Sequence, residues 1–416
     1  MENLERLQEE VEQDLQAIER GCVEIILRKE LAQKLLRSKQ TGQPLKIKVG
    51  FDPSAPDIHL GHTVQLRKMR QLQDMGHTVY YLIGDFTAMV GDPSGRKETR
   101  PTLTKEQVLE NAETYQRQAC KILDEEKLKL VFNSEWFEPM TFAEVMELTS
   151  KYTVARLLER DDFAKRLDEQ KPITVLELLY ALMQGYDSVS LAVDIEMGGT
   201  DQKFNLLVGR DLQRAYGQEP QVAIIMPLLV GTDGVQKMSK SLGNYIGIDE
   251  HPNEMYGKTM SISDEIMVDY LTLLTDIPPE DIDRMKADTQ AGQRNPKEVK
   301  KRLARELVRM YHGEDQSLQA EREFEKVFVN KGLPDDIEEV ALTPDRLKDD
   351  GRIWIVELLM LAGFAKTRNE ARRLVKGGGV SLDGKKVNDA SLDVQPVDGM
   401  ILRAGKRRFA KVALAE

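Results

Sequence analysis

The chain has few cysteines and no long apolar run. Of its 416 residues only Cys22 and Cys120 are cysteines, and they lie far apart, which excludes a disulfide framework and a cysteine-rich metal site. No stretch approaches the ~20 apolar residues of a membrane span, and the acidic start, MENLERLQEEVEQDL, lacks the apolar segment of a secretory signal. We therefore expect a cytoplasmic protein that does not enter a membrane.

The chain also lacks the G-x-x-x-x-G-K-[ST] pattern of P-loop proteins, which disfavours a P-loop ATPase. Hydrophobic residues make up 41% of the chain and charged residues 31%, which is typical of a globular protein. The length predicts two or three domains. The formal charge is −11, but residues 352–416 hold 13 Lys/Arg and 7 Asp/Glu, a balance of +6 that leaves −17 for the rest. This asymmetry predicts a small basic module joined to an acidic body.

Short β-rich runs alternate with helical segments once a helical stretch from residue 1 to about 40 has ended. Helices are predicted to begin near His62, Thr104 and Thr200. The βαβ rhythm predicts an α/β fold with a doubly wound, largely parallel sheet, whose ligands bind at the carboxyl ends of the strands. The predicted strands are 45–50, 78–84, 128–133, 189–195 and 221–226.

The strand signal disappears after about residue 260. Residues 264–330 are predicted to form several helices, and the polar stretch 331–351 a linker. The basic tail, 352–416, has two short helical runs followed by two β-like segments, which predicts a small α+β domain.

Two of the five histidines of the chain lie together in GFDPSAPDIHLGHTVQLRKM, residues 50–69. His59 and His62 are three residues apart and could share a helical face, which leaves a zinc site open. They also follow a strand and open a helix, whose first N–H groups and positive dipole end favour a phosphate.

A lysine-rich loop, GVQKMSKSLGN, spans residues 234–244 and follows the last predicted strand. Lys237 and Lys240 are mobile positive charges that can close over a polyphosphate. Taken alone the pattern is weak, because most lysine-rich loops are simply solvated.

Together, HLGH and KMSKS resemble the paired signatures of class I aminoacyl-tRNA synthetases, and the pair is more specific than either half. The segments GFDPSAPDIHLGH, GDFTAMVGDPSGR, YALMQGYD and GGTDQKFN then resemble, in order, those of bacterial tyrosyl-tRNA synthetases. The resemblance implies a Rossmann-like catalytic domain over 1–235 with a helical insertion, and an α-helical anticodon-side domain over 236–330 that begins with the KMSKS loop. It also implies an S4 RNA-binding domain over 352–416, and a homodimer.

The family's reaction joins tyrosine to the α-phosphate of ATP and then transfers it to the 3′-terminal ribose of tRNA(Tyr). Such a transfer needs alignment and positive charge more than covalent help. By resemblance, catalysis falls to His59, His62, Lys237, Lys240, Arg96 and Arg100. Mg²⁺ would accompany ATP without a protein metal site. The ATP-binding set implied is Asp52, Ser54, His59, Gly61, His62, Asp201, Lys237, Met238, Ser239 and Lys240.

The resemblance assigns tyrosine binding to Asp92, Tyr180, Gln184, Asp187 and Gln202. Asp92 is expected at a strand end as the counter-charge for the α-ammonium. Tyr180, Gln184 and Asp187 are spaced to line one wall from one helix. A buried carboxylate at Asp187 would accept the phenol's hydrogen bond. Phenylalanine lacks the hydroxyl and would leave this carboxylate unpaired, and the rejection of phenylalanine by tyrosyl-tRNA synthetases is an established example of such discrimination.

One residue departs from the better-known branch of the family, which has a phenol-contacting tyrosine two residues before the glycine of GFDP. Here that position is Lys48. Phenol recognition is therefore expected to depend on Asp187 with water or another donor.

The tail segment GFAKTRNEARRLVKGGGVSLDGKKVND resembles the S4 domain. A charge run alone would indicate only a solvated surface, but this context implies phosphate contacts to tRNA. Two alternatives stay open: a tryptophanyl enzyme, disfavoured by Asp187 and the S4 tail, and a catalytically idle S4-bearing RNA-binding protein. The implied tRNA-binding residues are Arg368, Arg372, Arg373, Lys376, Lys385 and Lys386.

Overall fold

The computed structural model describes residues 2–53, 57–93, 104–329, 337–405 and 408–414. The chain divides into two compact units, Met1–Ser317 and Leu318–Glu416. The finer division into catalytic domain, helical domain and linker stays a prediction. Within the described part of the chain, no helix is both long and apolar enough to cross a membrane.

A six-stranded sheet forms the centre of the first unit, with the strand order β1-β6-β5-β2-β3-β4. All neighbouring strands are parallel except β1, which pairs antiparallel with β6 at the edge. This confirms the predicted doubly wound sheet. The strands are β1 (Glu24–Ile26), β2 (Lys46–Phe51), β3 (Thr78–Ile83), β4 (Leu128–Phe132), β5 (Ile195–Gly199) and β6 (Val222–Met226).

The inner strands of the sheet are largely buried, whereas the edge strands β1 and β4 are partly exposed, so the inner strands read as apolar runs. Every residue of β5 and β6 is buried. Consecutive strands extend to one side from β2 through β3 to β4, and to the other through β5 to β6. The order therefore reverses between β2 and β5, and ligands of such sheets bind in the crevice at this reversal.

The helices of the first unit begin where the sequence supplies caps. Thr104 and Thr174 each accept a hydrogen bond from the backbone N–H three residues on, in capping boxes with Gln107 and Glu177. The helices are α1 (Glu2–Glu19), α2 (Arg28–Thr41), α3 (Leu60–Asp74), α4 (Asp85–Val90), α5 (Lys105–Ala119), α6 (Ser134–Phe137), α7 (Phe142–Ser150), α8 (Val154–Leu157), α9 (Asp161–Asp168), α10 (Val175–Leu191), α11 (Lys203–Ala215), α12 (Pro252–Met260), α13 (Asp264–Leu274), α14 (Pro279–Gln290), α15 (Pro296–His312) and α16 (Glu314–Phe324), which crosses into the second unit.

In the first unit, the bounds of one predicted strand were wrong and one strand was missed. Residues 189–191 complete α10, and the strand that follows begins only at Ile195. A short β-branched run such as SVSLAV fits a buried helix end as well as a strand, so periodicity could not separate the two. The missed strand is β1, whose three residues lie inside the stretch predicted to be helical. The predicted helices over 264–330 are confirmed.

The second unit is the small α+β domain expected of the tail. A five-stranded sheet in the order β10-β9-β12-β13-β7 and a β8–β11 pair enclose an apolar core that includes Leu358, Val375 and Leu402. Its first strand lies inside the stretch 331–351 expected to be a linker, where it pairs in parallel with the last strand. The elements are β7 (Glu338–Leu342), β8 (Ile353–Trp354), α17 (Ile355–Leu361), α18 (Arg368–Lys376), β9 (Val380–Leu382), β10 (Lys385–Val387), β11 (Asp393–Val394), β12 (Ile401–Ala404) and β13 (Arg408–Leu414).

Candidate active site

A cleft of about 530 Å³ opens at the carboxyl ends of β2 and β5 in the first unit. Most of the residues predicted to bind ATP or tyrosine line it, so the structure brings the two predicted sets together around one cavity. Three of the predicted residues, Ser54, Arg96 and Arg100, lie outside the described residues. The predicted residues that line the cleft are Asp52, His59, Gly61, His62, Asp92, Tyr180, Gln184, Asp187, Asp201, Gln202, Lys237, Met238, Ser239 and Lys240.

The two histidines cap α3 and stack on each other, with ring centroids 3.9 Å apart. His59 Nδ1 accepts a hydrogen bond from the Gly61 N–H at 3.1 Å, and His62 Nδ1 accepts one from the His59 N–H at 3.2 Å. A Cβ on Gly61 would lie 2.9 Å from the His59 ring, so only glycine lets this ring fold back over the helix start.

Both rings are held neutral. Burial, with the nearby His62 and Lys240, lowers the pKa of His59 to about 2, and burial with the charge of Lys240 lowers the pKa of His62 to about 4. A neutral imidazole carries one N–H, and Nδ1 is the acceptor in each ring. Both Nε2 atoms are therefore N–H donors, and two such donors do not make up the about four ligands of a structural zinc site.

The lysine loop, residues 234–244, is tied together by the side chain of Asn244 at its end. The Asn244 side chain donates to the Lys237 carbonyl at 3.1 Å and accepts from the Ser239 N–H at 2.8 Å. The two lysines of the loop are paired: Lys237 Nζ lies 3.1 Å from Asp201 Oδ2, and Lys240 Nζ lies 3.0 Å from Asp57 Oδ2. The loop thus presents two ammonium groups, each paired with a partly exposed carboxylate.

Asp201 lies in a 3₁₀ turn, Thr200–Gln202, that precedes α11. It does not cap the helix; its carboxylate pairs with Lys237. Asp92 likewise departs from the expectation of a strand end, because the short helix α4 separates it from β3. Its Oδ2 accepts a hydrogen bond from Gln202 Nε2 at 2.7 Å, which joins the two residues across the cleft.

Helix α10 supplies one wall of the cleft, as its spacing predicted. Tyr180 donates its hydroxyl to Asp52 Oδ2 at 2.8 Å, and Thr87 donates to the other oxygen of Asp52 at 2.8 Å. Further along the helix, the Gln184 Oε1 accepts from Asn205 Nδ2 at 2.9 Å. These contacts fix the rotamers of the wall before any ligand binds.

Asp187 is a carboxylate at 2% exposure on the same helix. Trp136 Nε1 donates to its Oδ1 at 2.9 Å. Burial raises the pKa of Asp187 to about 7, against the opposing effects of the Lys48 charge and the Trp136 hydrogen bond. The cleft therefore has a buried acceptor at one end that titrates near neutrality.

Lys48 is buried beneath the cleft at 0% exposure and is not among the residues that line it. Its Nζ lies 3.0 Å from Glu196 Oε1, and the two residues are direct partners in the β2–β5 pairing. Lys48, which occupies the position of the phenol-contacting tyrosine of the better-known branch, therefore forms a buried ion pair.

Comparison with known families agrees with this geometry. The family of class I tRNA synthetases (W and Y) matches residues 39–329, and the S4 domain matches residues 353–399. The tyrosine–tRNA ligase of Moorella thermoacetica is 53% identical over 98% of this chain and 97% of its own length. That of Carboxydothermus hydrogenoformans is 54% identical over 97% of this chain and 98% of its own length. The chain belongs to the class I tyrosyl-tRNA synthetases.

Solved structures of the same family share the fold. A C-terminally truncated mitochondrial tyrosyl-tRNA synthetase of Aspergillus nidulans superposes with a TM-score of 0.63 at 21% identity, over 78% of this chain and all of that one. The tyrosyl-tRNA synthetase of Archaeoglobus fulgidus complexed with L-tyrosine gives 0.60 at 24% identity, over 74% of this chain and 99% of that one.

Sequence reasoning missed four residues of this synthetase site. Glu196 could have been noticed, because it is the one charged residue in the otherwise apolar segment IEMGG. Asp57 and Asn205 are ordinary polar residues near motifs, and only the fold shows their partners. Trp136 is one of the two tryptophans of the chain, but it is far from the other site residues in sequence.

The basic residues of the synthetase's tail lie on the second unit. Trp354 lies 5.1 Å beneath the guanidinium of Arg372, and Glu357 lies 3.6 Å from that of Arg368. Four of the predicted residues lie on α18 and two on β10, and all six side chains are exposed: Arg368, Arg372, Arg373, Lys376, Lys385 and Lys386.

Proposed function

We propose that this cleft joins L-tyrosine to the α-phosphate of ATP, releases pyrophosphate, and transfers the tyrosyl group to the 3′-terminal ribose of tRNA(Tyr). One observation carries the proposal: a single cavity holds a buried carboxylate, Asp187, together with two Nε2–H donors and two ammonium groups. The carboxylate suits a phenol, and the donors suit a triphosphate. Because ATP and tRNA are cytoplasmic molecules, we propose a cytoplasmic enzyme.

The phosphate end of the proposed reaction needs positive charge as pyrophosphate separates. His59 and His62 donate from Nε2 while staying neutral, because each Nδ1 is taken by a backbone N–H. Lys237 and Lys240 exchange their carboxylate partners for phosphate oxygens. The remaining ATP contacts proposed are Asp52, Ser54, Gly61, Asp201, Met238 and Ser239, with Arg96 and Arg100 acting on the pyrophosphate.

The tyrosine end of the cleft is proposed to bind the substrate at both of its polar groups, the α-ammonium and the phenol hydroxyl. The carboxylate of Asp92, joined to Gln202 at 2.7 Å, faces the α-ammonium. Tyr180 and Gln184 line the wall between this carboxylate and Asp187, which accepts the phenol's hydrogen bond. A substrate without the hydroxyl would leave that buried acceptor unpaired.

Magnesium is proposed to enter with ATP. Among the described residues, no three His, Cys, Asp or Glu side chains group as metal ligands. Mg²⁺ keeps much of its water and is commonly held through substrate phosphates. The phosphate oxygens would therefore hold the ion, which would neutralise charge on the β- and γ-phosphates.

A homodimer is proposed from apolar side chains left exposed on consecutive helices of the first unit. Phe142 is 79% exposed and Val175 is 73% exposed, and large exposed apolar surfaces are typical of sites where proteins associate. Sedimentation of the protein and of a Phe142→Ser/Val175→Ser variant tests this: the proposal requires a dimer that the substitutions weaken. The side chains concerned are Phe142, Met146, Val154, Leu167, Val175 and Leu176.

The exposed basic side chains of α18 and β10 are proposed to contact tRNA phosphates. Such contacts read the shape of a folded RNA and supply a salt-dependent share of its affinity.

Pyrophosphate exchange tests the proposed activity directly. Exchange that depends on tyrosine, and not on tryptophan or phenylalanine, followed by charging of tRNA(Tyr), is the expected result. Exchange with tryptophan would instead favour the tryptophanyl reaction. RNA binding without exchange for any of the three amino acids would mean a catalytically idle RNA-binding protein.

A further inference from the structure

A buried ion pair lies directly beneath the tyrosine end of the cleft. Lys48 on β2 and Glu196 on β5 are 0% and 1% exposed, and their charged atoms are 3.0 Å apart. Removing two charges from water costs more than a well-packed apolar pair would, so such a pair is weak evidence of a stabilising role. Its contacts indicate a different role.

Both charges hold the helix that carries Asp187. Lys48 Nζ donates to the Gln184 carbonyl at 3.2 Å. The Glu196 carboxylate accepts from Gln184 Nε2 at 3.3 Å and from Ser188 Oγ at 2.9 Å, and also from Gln221 Nε2. Asp187 lies between these two anchored positions of α10, so the ion pair fixes its height above the sheet.

The same two charges act on Asp187 in opposite directions. Lys48 lowers the pKa of Asp187, and Glu196 raises it. Two uncharged donors also face Asp187, Trp136 from α6 and Asn133 from the end of β4, and both favour the carboxylate form. Tyr180 of α10 interacts with Asp187 as well, but it stays neutral because burial raises the pKa of its hydroxyl well above its ordinary value. Lys48 and Glu196 are thus the charged side chains that act on this carboxyl group.

We propose that Lys48 and Glu196 are positioning residues for substrate recognition, and that together they set where Asp187 stands and whether it is a carboxylate when the phenol arrives. This inference rests on the proposed activation of tyrosine. It assigns Lys48 a role in the phenol subsite through two other residues, without contact with the substrate.

The two charges can be removed separately by near-isosteric changes. Lys48→Met removes the positive charge, which raises the pKa of Asp187. The fall of kcat/KM for tyrosine on the acidic side of its pH profile, called the acidic limb below, therefore moves to higher pH. Glu196→Gln removes the negative charge and moves that limb to lower pH. We expect shifts of about one pH unit in each direction, the size usual for a neighbouring charge.

The measurement is tyrosine-dependent pyrophosphate exchange from about pH 5.5 to about pH 8.5, because kcat/KM reports groups of the free enzyme. His59 and His62, with pKa values lowered to about 2 and about 4, do not titrate in this range. The matched control is Glu177→Gln, which breaks a buried ion pair with Arg166 at the start of the same helix. Its acidic limb should coincide with the parent's.

A double variant, Lys48→Met/Glu196→Met, keeps the test decisive where a single change prevents folding. It leaves no unpaired buried charge, although Ser188 and Gln221 lose an acceptor, so its thermal unfolding should lie nearer to the parent's than that of either single variant. Its KM for tyrosine should nevertheless rise about tenfold with kcat little changed, because Gln184 and Ser188 lose their anchors. A double variant with parental stability and parental KM overturns the proposal.

The outcomes separate this inference from the proposed function. A parent protein without tyrosine-dependent exchange contradicts the function itself. A parent that activates tyrosine, with Lys48→Met and Glu196→Gln limbs that coincide or move in the same direction, contradicts only the role of the ion pair. Shifts of opposite sign support it, since general loosening of the fold would move both limbs alike.

Discussion

The ammonium of Lys240 lies 3.0 Å from the carboxylate of Asp57. This lysine of the loop therefore pairs with a carboxylate from another part of the protein before any phosphate binds. Both partners are at least partly exposed, and such pairs contribute only about 0–1 kcal/mol. In the proposed reaction, a triphosphate with several negative charges therefore displaces the carboxylate of Asp57 from Lys240 at little cost in free energy.

This geometry predicts how loss of the loop lysines affects the reaction. Lys237→Ala and Lys240→Ala should slow adenylate formation by about 10²-fold or more while changing tyrosine affinity little, because their charge matters as pyrophosphate separates. Single-turnover adenylate formation and equilibrium dialysis of tyrosine measure the two quantities. Lys39→Ala is the control, since Lys39 pairs with Asp14 at 2.9 Å outside the cleft. Equal losses of rate and tyrosine affinity would contradict the assignment.

The histidine pair predicts a loss of rate without a change of pH profile. His62→Ala removes one Nε2–H donor and should slow adenylate formation by about 10²-fold. Because burial keeps the pKa of His62 at about 4 and that of His59 at about 2, neither ring gains a proton near neutrality. The variant's rate should therefore keep the parent's midpoint between pH 5 and pH 8, whereas the loss of an ordinary histidine, which titrates at about pH 6.5, would change the profile. Unchanged activity would leave the motif a purely structural cap.

Substitution of Asp187 by asparagine should raise the stability of the protein and lower its selectivity for tyrosine. Its pKa is raised to about 7 in the folded protein, above the ~3.9 of an unfolded chain. The folded state thus binds more protons between these two values, and its stability falls as pH rises through this window. Asp187→Asn removes that loss, so the variant should exceed the parent by about 1.5 kcal/mol near pH 5 and by on the order of 4 kcal/mol at most near pH 8.

The same substitution should damage discrimination between tyrosine and phenylalanine, because the charged acceptor for the phenol is gone. Urea unfolding at two pH values and pyrophosphate exchange with both amino acids provide the two measurements. A variant that rejects phenylalanine as well as the parent does would mean that the phenol is read elsewhere.

Helix α10 predicts a stability effect from a single methyl group. A Cβ at Gly185 would lie 2.7 Å from Leu212 Cδ1 and 3.2 Å from the Gly209 backbone on α11, so the two helices would have to separate. Gly185→Ala should cost about 1–3 kcal/mol of stability and raise the KM for tyrosine. The control is Gly50→Ala, whose Cβ would meet only Leu82 at 3.6 Å; thermal unfolding of the two variants should differ clearly.

The sequence predicted the sheet and most of the cleft because the motifs follow strands, and parallel strands bring their carboxyl ends to one edge. Tyr180, Gln184 and Asp187 were singled out by the family resemblance, helical spacing placed them on one wall, and they do line the cleft. The boundary of the strand after α10 was wrong because a β-branched run has no distinctive period in a buried element.

Contacts between side chains that are far apart in the sequence could not be predicted. The contact between Trp136 and Asp187 depends on where α6 packs against α10, and no local pattern encodes that distance. The pairing of Lys48 with Glu196 follows from the register of β2 with β5, which becomes visible only when the strand order is known. A lysine in a central strand indicates that a buried partner must exist, but it does not identify one.

The tail predicts that activation and tRNA charging can be separated. The core of the second unit is drawn from residues between Val340 and Val412, and β7 pairs with β13 inside it. A truncation must therefore fall before β7, after Val329, because a cut near residue 345 would leave β7 without its partner. The truncated protein should form tyrosyl-adenylate at near-parental rates, since the proposed chemistry uses only small molecules at the sheet of the first unit.

Transfer to tRNA needs the long anionic RNA held in register, and the balance of +6 over residues 352–416 is the clearest electrostatic source of that affinity. Charging by the truncated protein should therefore fall, mostly through a higher KM for tRNA. A full-length variant, Arg372→Gln/Arg373→Gln, is the matched control: it keeps the fold of the tail, so its charging should weaken and its salt dependence should become shallower, while exchange stays parental. Loss of exchange and charging together would mean that the tail supports the fold of the first unit; parental charging in both proteins would mean that the basic residues of α18 do not bind tRNA.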